Sequence, residues 1–146
     1  MTKSLDHVIY GTLTPGFYRV SAWVRPASIE KRVLQEGWKY AYLDGGNIRD
    51  KGEFLHGMDQ AFRFPSYFGY NWDALEECLL DLSWLPAPGY VLLYNQPNRF
   101  IGNALDDWTT ARLILEEAVA HWHREGAPLF VVFRRAGFSL PDIEWL

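Results

Sequence analysis

Phe64-Pro65-Ser66-Tyr67-Phe68-Gly69-Tyr70-Asn71-Trp72-Asp73-Ala74-Leu75-Glu76-Glu77-Cys78-Leu79-Leu80-Asp81-Leu82 is the stretch from which the rest of the chain is read. Pro65 lacks an N–H and cannot continue a helix arriving from Ala61-Phe62-Arg63, so the stretch begins as a turn. Asn71 is a favourable N-cap, and Asp73 falls in the first turn, where a negative charge complements the helix dipole. Leu75, Leu79 and Leu82 recur at i, i+4 and i+7, one apolar stripe facing a core. On the other side Asp73, Glu76, Glu77 and Asp81 stand three or four positions apart. Like charges at such spacing cost a helix about 0.2–0.5 kcal/mol per pair. No Lys or Arg occurs between Arg63 and Arg99 to relieve them. The run reads either as a solvated acidic face or as a docking surface whose cation comes from another molecule. Tyr67, Phe68, Tyr70 and Trp72 crowd just upstream and favour docking, since aromatics concentrate at interface centres.

The 146 residues fit one domain with a substantial core, and 49% hydrophobic with 16% aromatic residues excludes a disordered chain. A net charge of −4 argues against direct nucleic-acid binding, which needs a clustered basic face. The segment Met1-Thr2-Lys3-Ser4-Leu5-Asp6-His7 offers no apolar secretory core, and no window suits a membrane span. With Cys78 as the one cysteine, no intrachain disulfide can form, and the expected location is a reducing cytoplasm. Cys78 sits beside the apolar stripe with no nearby His, which makes it a buried structural thiol.

Outward from the central stretch, the pattern is α/β. Val8-Ile9-Tyr10 suggests a short strand, Phe17–Ala22 a strand, and Ser28 the cap of a helix running to Glu36 with Ile29, Val33 and Leu34 as its inner face. Lys39–Leu43 reads as a strand closed by Asp44-Gly45-Gly46-Asn47, whose glycines suit a turn at φ > 0. Asp50 and Glu53 form a capping-box-like pair ahead of Phe54, Leu55, Met58 and Phe62. Tyr90–Tyr94 and Leu129–Phe133 are continuous apolar runs, as interior parallel strands require. Asn95-Gln96-Pro97-Asn98 reads as a loop. A long helix from Asp106 or Asp107 to Glu125 carries Trp108, Ala111, Leu115, Ala118 and Trp122 on its inner face. The apolar residues of the tail, Phe138, Leu140, Ile143, Trp145 and Leu146, are expected to pack. The expected fold is a small, mostly parallel sheet covered by helices: a three-stranded core plus an extra N-terminal strand.

Catalytic patterns are weak. Asp73 and Glu77 could stand close enough to work as acid and base, but no substrate-orienting set surrounds them. His121 and His123 are spaced to point apart on a helix, unlike an i, i+4 metal pair. The G-x-G-x-x-G, G-x-x-x-x-G-K-[ST] and G-x-S-x-G patterns are all absent. No cofactor and no metal site are therefore expected.

The run Pro65-x-Tyr67-Phe68-Gly69-x-Asn71-x-Asp73-Ala74-Leu75, continuing to Glu77 and Leu79, resembles the signature of the barstar family, intracellular inhibitors of barnase-type ribonucleases. The likeness extends from about Tyr40 to Phe133. It implies an N-terminal extension over residues 1–37, a core over 38–133 and a tail over 134–146 of one domain. It further implies a non-catalytic protein, part of an antitoxin or immunity pair, that plugs a basic ribonuclease. Tyr67, Gly69, Asn71, Asp73, Glu76 and Glu77 would form the partner-binding surface, with acids standing where RNA phosphates bind. This sequence departs from the best-known member in three places. Glu77 is a glutamate in place of aspartate, Glu76 stands in place of a tryptophan, and His121 aligns with an acid. The departures point to a partner other than barnase. The alternatives are the same fold acting on a non-nuclease protein, and an enzyme using Asp73 and Glu77.

Overall fold

The computed structural model describes residues 5–146; residues 1–4 of the expected extension lie outside it. Five parallel strands, β1 (Phe17–Val20), β2 (Lys39–Asp44), β3 (Tyr90–Asn95), β4 (Leu129–Arg134) and β5 (Glu144–Trp145), form one sheet in the order β2-β3-β4-β1-β5. Every residue of β3 and β4 is buried, which is why both read as unbroken apolar runs. Alternate residues face opposite ways. Leu92, Tyr94, Val131 and Phe133 join one core and Val91, Leu93, Phe130 and Val132 the other. The first core lies under α3 (Lys51–Phe62), α4 (Trp72–Asp81), α5 (Asn98–Asn103) and α6 (Leu105–Glu125); the second lies under α1 (Leu5–Ile9) and α2 (Pro26–Gln35).

Several expectations are corrected. Val8 and Ile9 belong to the end of α1 and Tyr10 to the turn after it, rather than to a strand: Val8 and Ile9 are buried beside a half-buried Leu5, an i, i+3, i+4 pattern. Thr12 Oγ1 then closes that helix by donating to His7 O at 2.9 Å. Ser28 is inside α2, not its cap, and of the expected inner face Ile29 and Val33 are buried while Leu34, one position round the helix from Val33, is exposed. Pro26 sits at the first helical position, where its fixed φ suits the start and its missing N–H costs nothing. Asn98 opens α5, which seats Phe100 in the core, so the loop is shorter than read. The tail packs only in part. Leu140 and Ile143 are buried and β5 adds two residues to the sheet, but Phe138 is fully exposed.

The Gly45-Gly46 turn needs glycine for space, not for φ. Positive φ among the described glycines occurs at Gly11, Gly37, Gly126 and Gly137. A Cβ at Gly45 would lie 2.2 Å from Gln96 O and 2.3 Å from Asn95 O, because the chain leaving β2 runs against the end of β3. The capping box before α3 is displaced by one residue. Asp50 Oδ1 accepts from Glu53 N at 2.9 Å as expected, while Glu53 Oε1 accepts from Arg49 N. Arg49 holds the Glu53 carboxyl down at about 2.

Two buried arginines close the carboxyl end of the sheet. Arg134 donates to Val24 O, Ala22 O and Asn95 Oδ1 at 2.7, 2.8 and 3.0 Å. Arg19 donates to Leu140 O and Gly137 O, both at 2.7 Å, with its guanidinium 4.4 Å from the Trp145 ring centroid. Each buried cation is thus spent on backbone carbonyls of the loops that follow β1 and β4.

A candidate protein-docking face on α4

Pro65 does stop the preceding helix, with Arg63 in the left-handed conformation as its C-cap. Phe64 and Phe68 then fold inward, ring centroids 4.7 Å apart, and Trp84 meets Phe64 edge-on. Phe68 therefore anchors the loop and leaves the docking surface, while Tyr67 between them is 69% exposed. Trp72 likewise turns in, its ring 6.1 Å from Phe54, with Lys51 Nζ 5.3 Å above it.

Asn71 caps α4, its Oδ1 accepting from Ala74 N at 2.8 Å and its Nδ2 donating to Gly69 O at 3.4 Å. Both ends of this side chain are engaged within the loop, so Asn71 shapes the surface more than it offers contacts. Gly69 has room for a side chain, the nearest atom to an added Cβ being 3.4 Å away. The strained position is the next one: Tyr70 has φ 52°. Its phenol donates to Asp59 Oδ2 at 2.5 Å, its ring lies tilted with its centroid 4.5 Å from that of His56, and Phe68 meets it edge-on at 4.8 Å. Nothing in the sequence pattern marks Tyr70, Asp59 and His56 as partners, because the contact joins α3 to a loop through a left-handed residue.

Leu75, Leu79 and Leu82 are buried, as the stripe requires. Trp122 Nε1 of α6 donates to Leu79 O at 2.7 Å and ties the two helices together. Cys78 is buried, and burial pushes its thiol up, helped by the charges of Glu77, Asp81 and Asp59. The acids divide into two groups. Glu77 and Asp81 are exposed next to Tyr67, whose phenol is pushed up by partial burial and by Cys78 and these carboxylates. Glu76 turns the other way, half-buried toward α6. There the Glu117 carboxylate, with desolvation and Asp73, raises its pKa above the ordinary glutamate value. Glu76, Glu117, His121 and Arg124 line one shallow cavity of about 260 Å³. Among the described residues, none of Asp73, Glu76, Glu77 and Asp81 makes an ion pair.

No three His, Cys, Asp or Glu side chains among the described residues are grouped to hold a metal ion. No described helix is long and apolar enough to cross a membrane. Two structures of the Aeropyrum pernix ORC2 protein, one with ADPNP and ADP and one with ADP, share the fold at a TM-score of 0.62. They are 13% and 14% identical to this chain and cover 97% of it. The chain spans 43% and 44% of their length, and at this identity the likeness speaks for the fold alone. No curated protein matches by sequence. Residues 38–134, most of the chain, match the family described as Barstar (barnase inhibitor), and the chain belongs to the barstar family.

Proposed function

We propose that this protein is a non-catalytic inhibitor that docks Tyr67, Asp73 and Glu77 into the active site of a basic ribonuclease in a reducing cytoplasm. Glu76 borders that contact, while Gly69 and Asn71 set the shape of the turn. The observation that carries the reading is the exposed acidic edge of α4: Glu77 and Asp81 beside Tyr67, with no cation among the described residues paired to them. A nuclease holds phosphates with preorganised cations, so carboxylates on a rigid helix meet a complementary site, and opposite fields speed encounter. Family membership supports the same reading, since the matching family is one of nuclease inhibitors. The chain acts as one domain, with β1 of the N-terminal extension and β5 of the tail widening the sheet.

The test is titration of the purified protein against basic ribonucleases encoded beside it, followed by Asp73→Ala and Glu77→Ala. Each substitution should weaken binding at least tenfold at low salt, and affinity of the unaltered protein should fall as salt rises. Unchanged affinity in both variants would remove α4 from the contact. Binding to a non-nuclease protein that is lost in both variants would keep the surface and change the class of partner.

A further inference from the structure

The two edges of the sheet are treated differently. β5 closes one edge with two residues, which leaves little backbone for another strand to find. β2 closes the other with six, Lys39-Tyr40-Ala41-Tyr42-Leu43-Asp44, in unbroken register with β3 and without proline or bulge. Lys39 N donates to Gly89 O at 3.0 Å, so the alternation turns Lys39, Ala41 and Leu43 toward β3 and Tyr40, Tyr42 and Asp44 outward. Among the described residues, the backbone groups of Tyr40 and Tyr42 on that side have no hydrogen-bond partner. Two cavities of about 410 Å³ each flank this edge. One reaches Asp44 and His56, the other Leu34 and Arg63, and Tyr42 and Gln60 line both, so they form a trough along the strand between α2 and α3.

We propose that the β2 edge is a self-association surface on which a second copy of this chain pairs its own β2, antiparallel, about a two-fold axis at Tyr42. The hydrogen-bonding pattern of a strand edge specifies an extended backbone as its occupant, and the strand's own order favours itself. Outward residues must face outward residues, which places Tyr42 opposite Tyr42 and Tyr40 opposite Asp44 of the second copy. A phenol then meets a carboxylate at both ends of the pairing, while Ala41 and Leu43 stay in their own core under α3. Centring the axis on Ala41 would set Tyr40 against Tyr42 and leave Asp44 beside Trp38. Burial keeps the Tyr40 phenol protonated and a donor. Leu34, 53% exposed on the bank of the trough, adds apolar surface to the contact. Such a pairing is isologous and closes at two copies.

Sedimentation equilibrium of the full chain, from low to high micromolar concentration, tests this without any nuclease. The weight-average mass should rise from 16.9 kDa toward twice that value. Over the same range, hydrogen exchange at the Tyr40, Tyr42 and Asp44 amides should slow. Tyr42→Lys places like charges on the axis and should hold the protein at monomer mass with an unchanged unfolding midpoint; Leu34→Glu is a second variant away from the strand. A monomer at every concentration with fast amides overturns the proposal, as does a dimer that persists in both variants. A monomer with slow amides overturns it in favour of another occupant of the edge.

Discussion

Replacing Asn71 by alanine tests whether the docking turn is held by a helix cap. The substitution removes the 2.8 Å bond from Ala74 N and the longer 3.4 Å bond to Gly69 O. Loss of such a cap costs about 1 kcal/mol, within a range of roughly 0.5–2 kcal/mol. The second bond lies beyond the usual N–H···O range and should add little. With a urea slope of about 1–3 kcal/mol/M, the unfolding midpoint should fall by about 0.3–1 M at constant slope. Asn71→Asp separates the two bonds, since a carboxylate oxygen still accepts from Ala74 N but cannot donate to Gly69 O. It should recover most of the lost stability, its charge also favouring the start of α4. Matched denaturation curves of the three proteins decide the matter. Were Asn71→Asp as unstable as Asn71→Ala, the amide bond to Gly69 O, not the cap, would be what holds the turn.

Two further changes probe other parts of the fold. Glu76 has its pKa raised by Glu117, so its contribution to stability is fully present below the ordinary glutamate range and is lost as pH rises through the folded value. Glu76→Gln should therefore flatten the fall in stability between pH 4 and neutrality and leave the protein more stable at neutral pH, as read by urea midpoints across that range; a steeper fall would contradict the pairing. Gly45→Ala forces a Cβ against two carbonyl oxygens at the end of β3 and should destabilise by about 1–3 kcal/mol or more. A thermal midpoint within error of the unaltered protein would mean that the backbone there yields freely.

The elements legible in the sequence are those whose pattern is local and repeated. The Leu75, Leu79, Leu82 stripe, the Asn71 and Asp50 caps and the two apolar strands all appear where they were read, because each depends on residues within a turn or two. The errors fall where a distant partner decides. Gly45 looks like a φ-positive turn glycine until the end of β3 is laid beside it. Phe68 and Trp72 look like surface aromatics next to acids, but Phe64 and Phe54 draw them inward. Arg19 and Arg134 gave no sign of burial, since the backbone carbonyls that receive them lie more than a hundred positions away. In the candidate site, the acidic run was visible as composition. Its division into an exposed edge with Tyr67 and a second group facing Glu117 required α6 to be in place.

The position of β1 bears on how the chain reaches this state. All four of its residues pair with β4 and two of them, Tyr18 and Arg19, with β5, so a segment made early waits for neighbours translated more than a hundred residues later. Until then β4 has an open side and β1 has no ladder at all, while β2 and β3 can already pair across a much shorter loop. Closure of the sheet at β1 is thus a late, long-range event of the kind that slows folding, with the two arginine clamps forming only at that step.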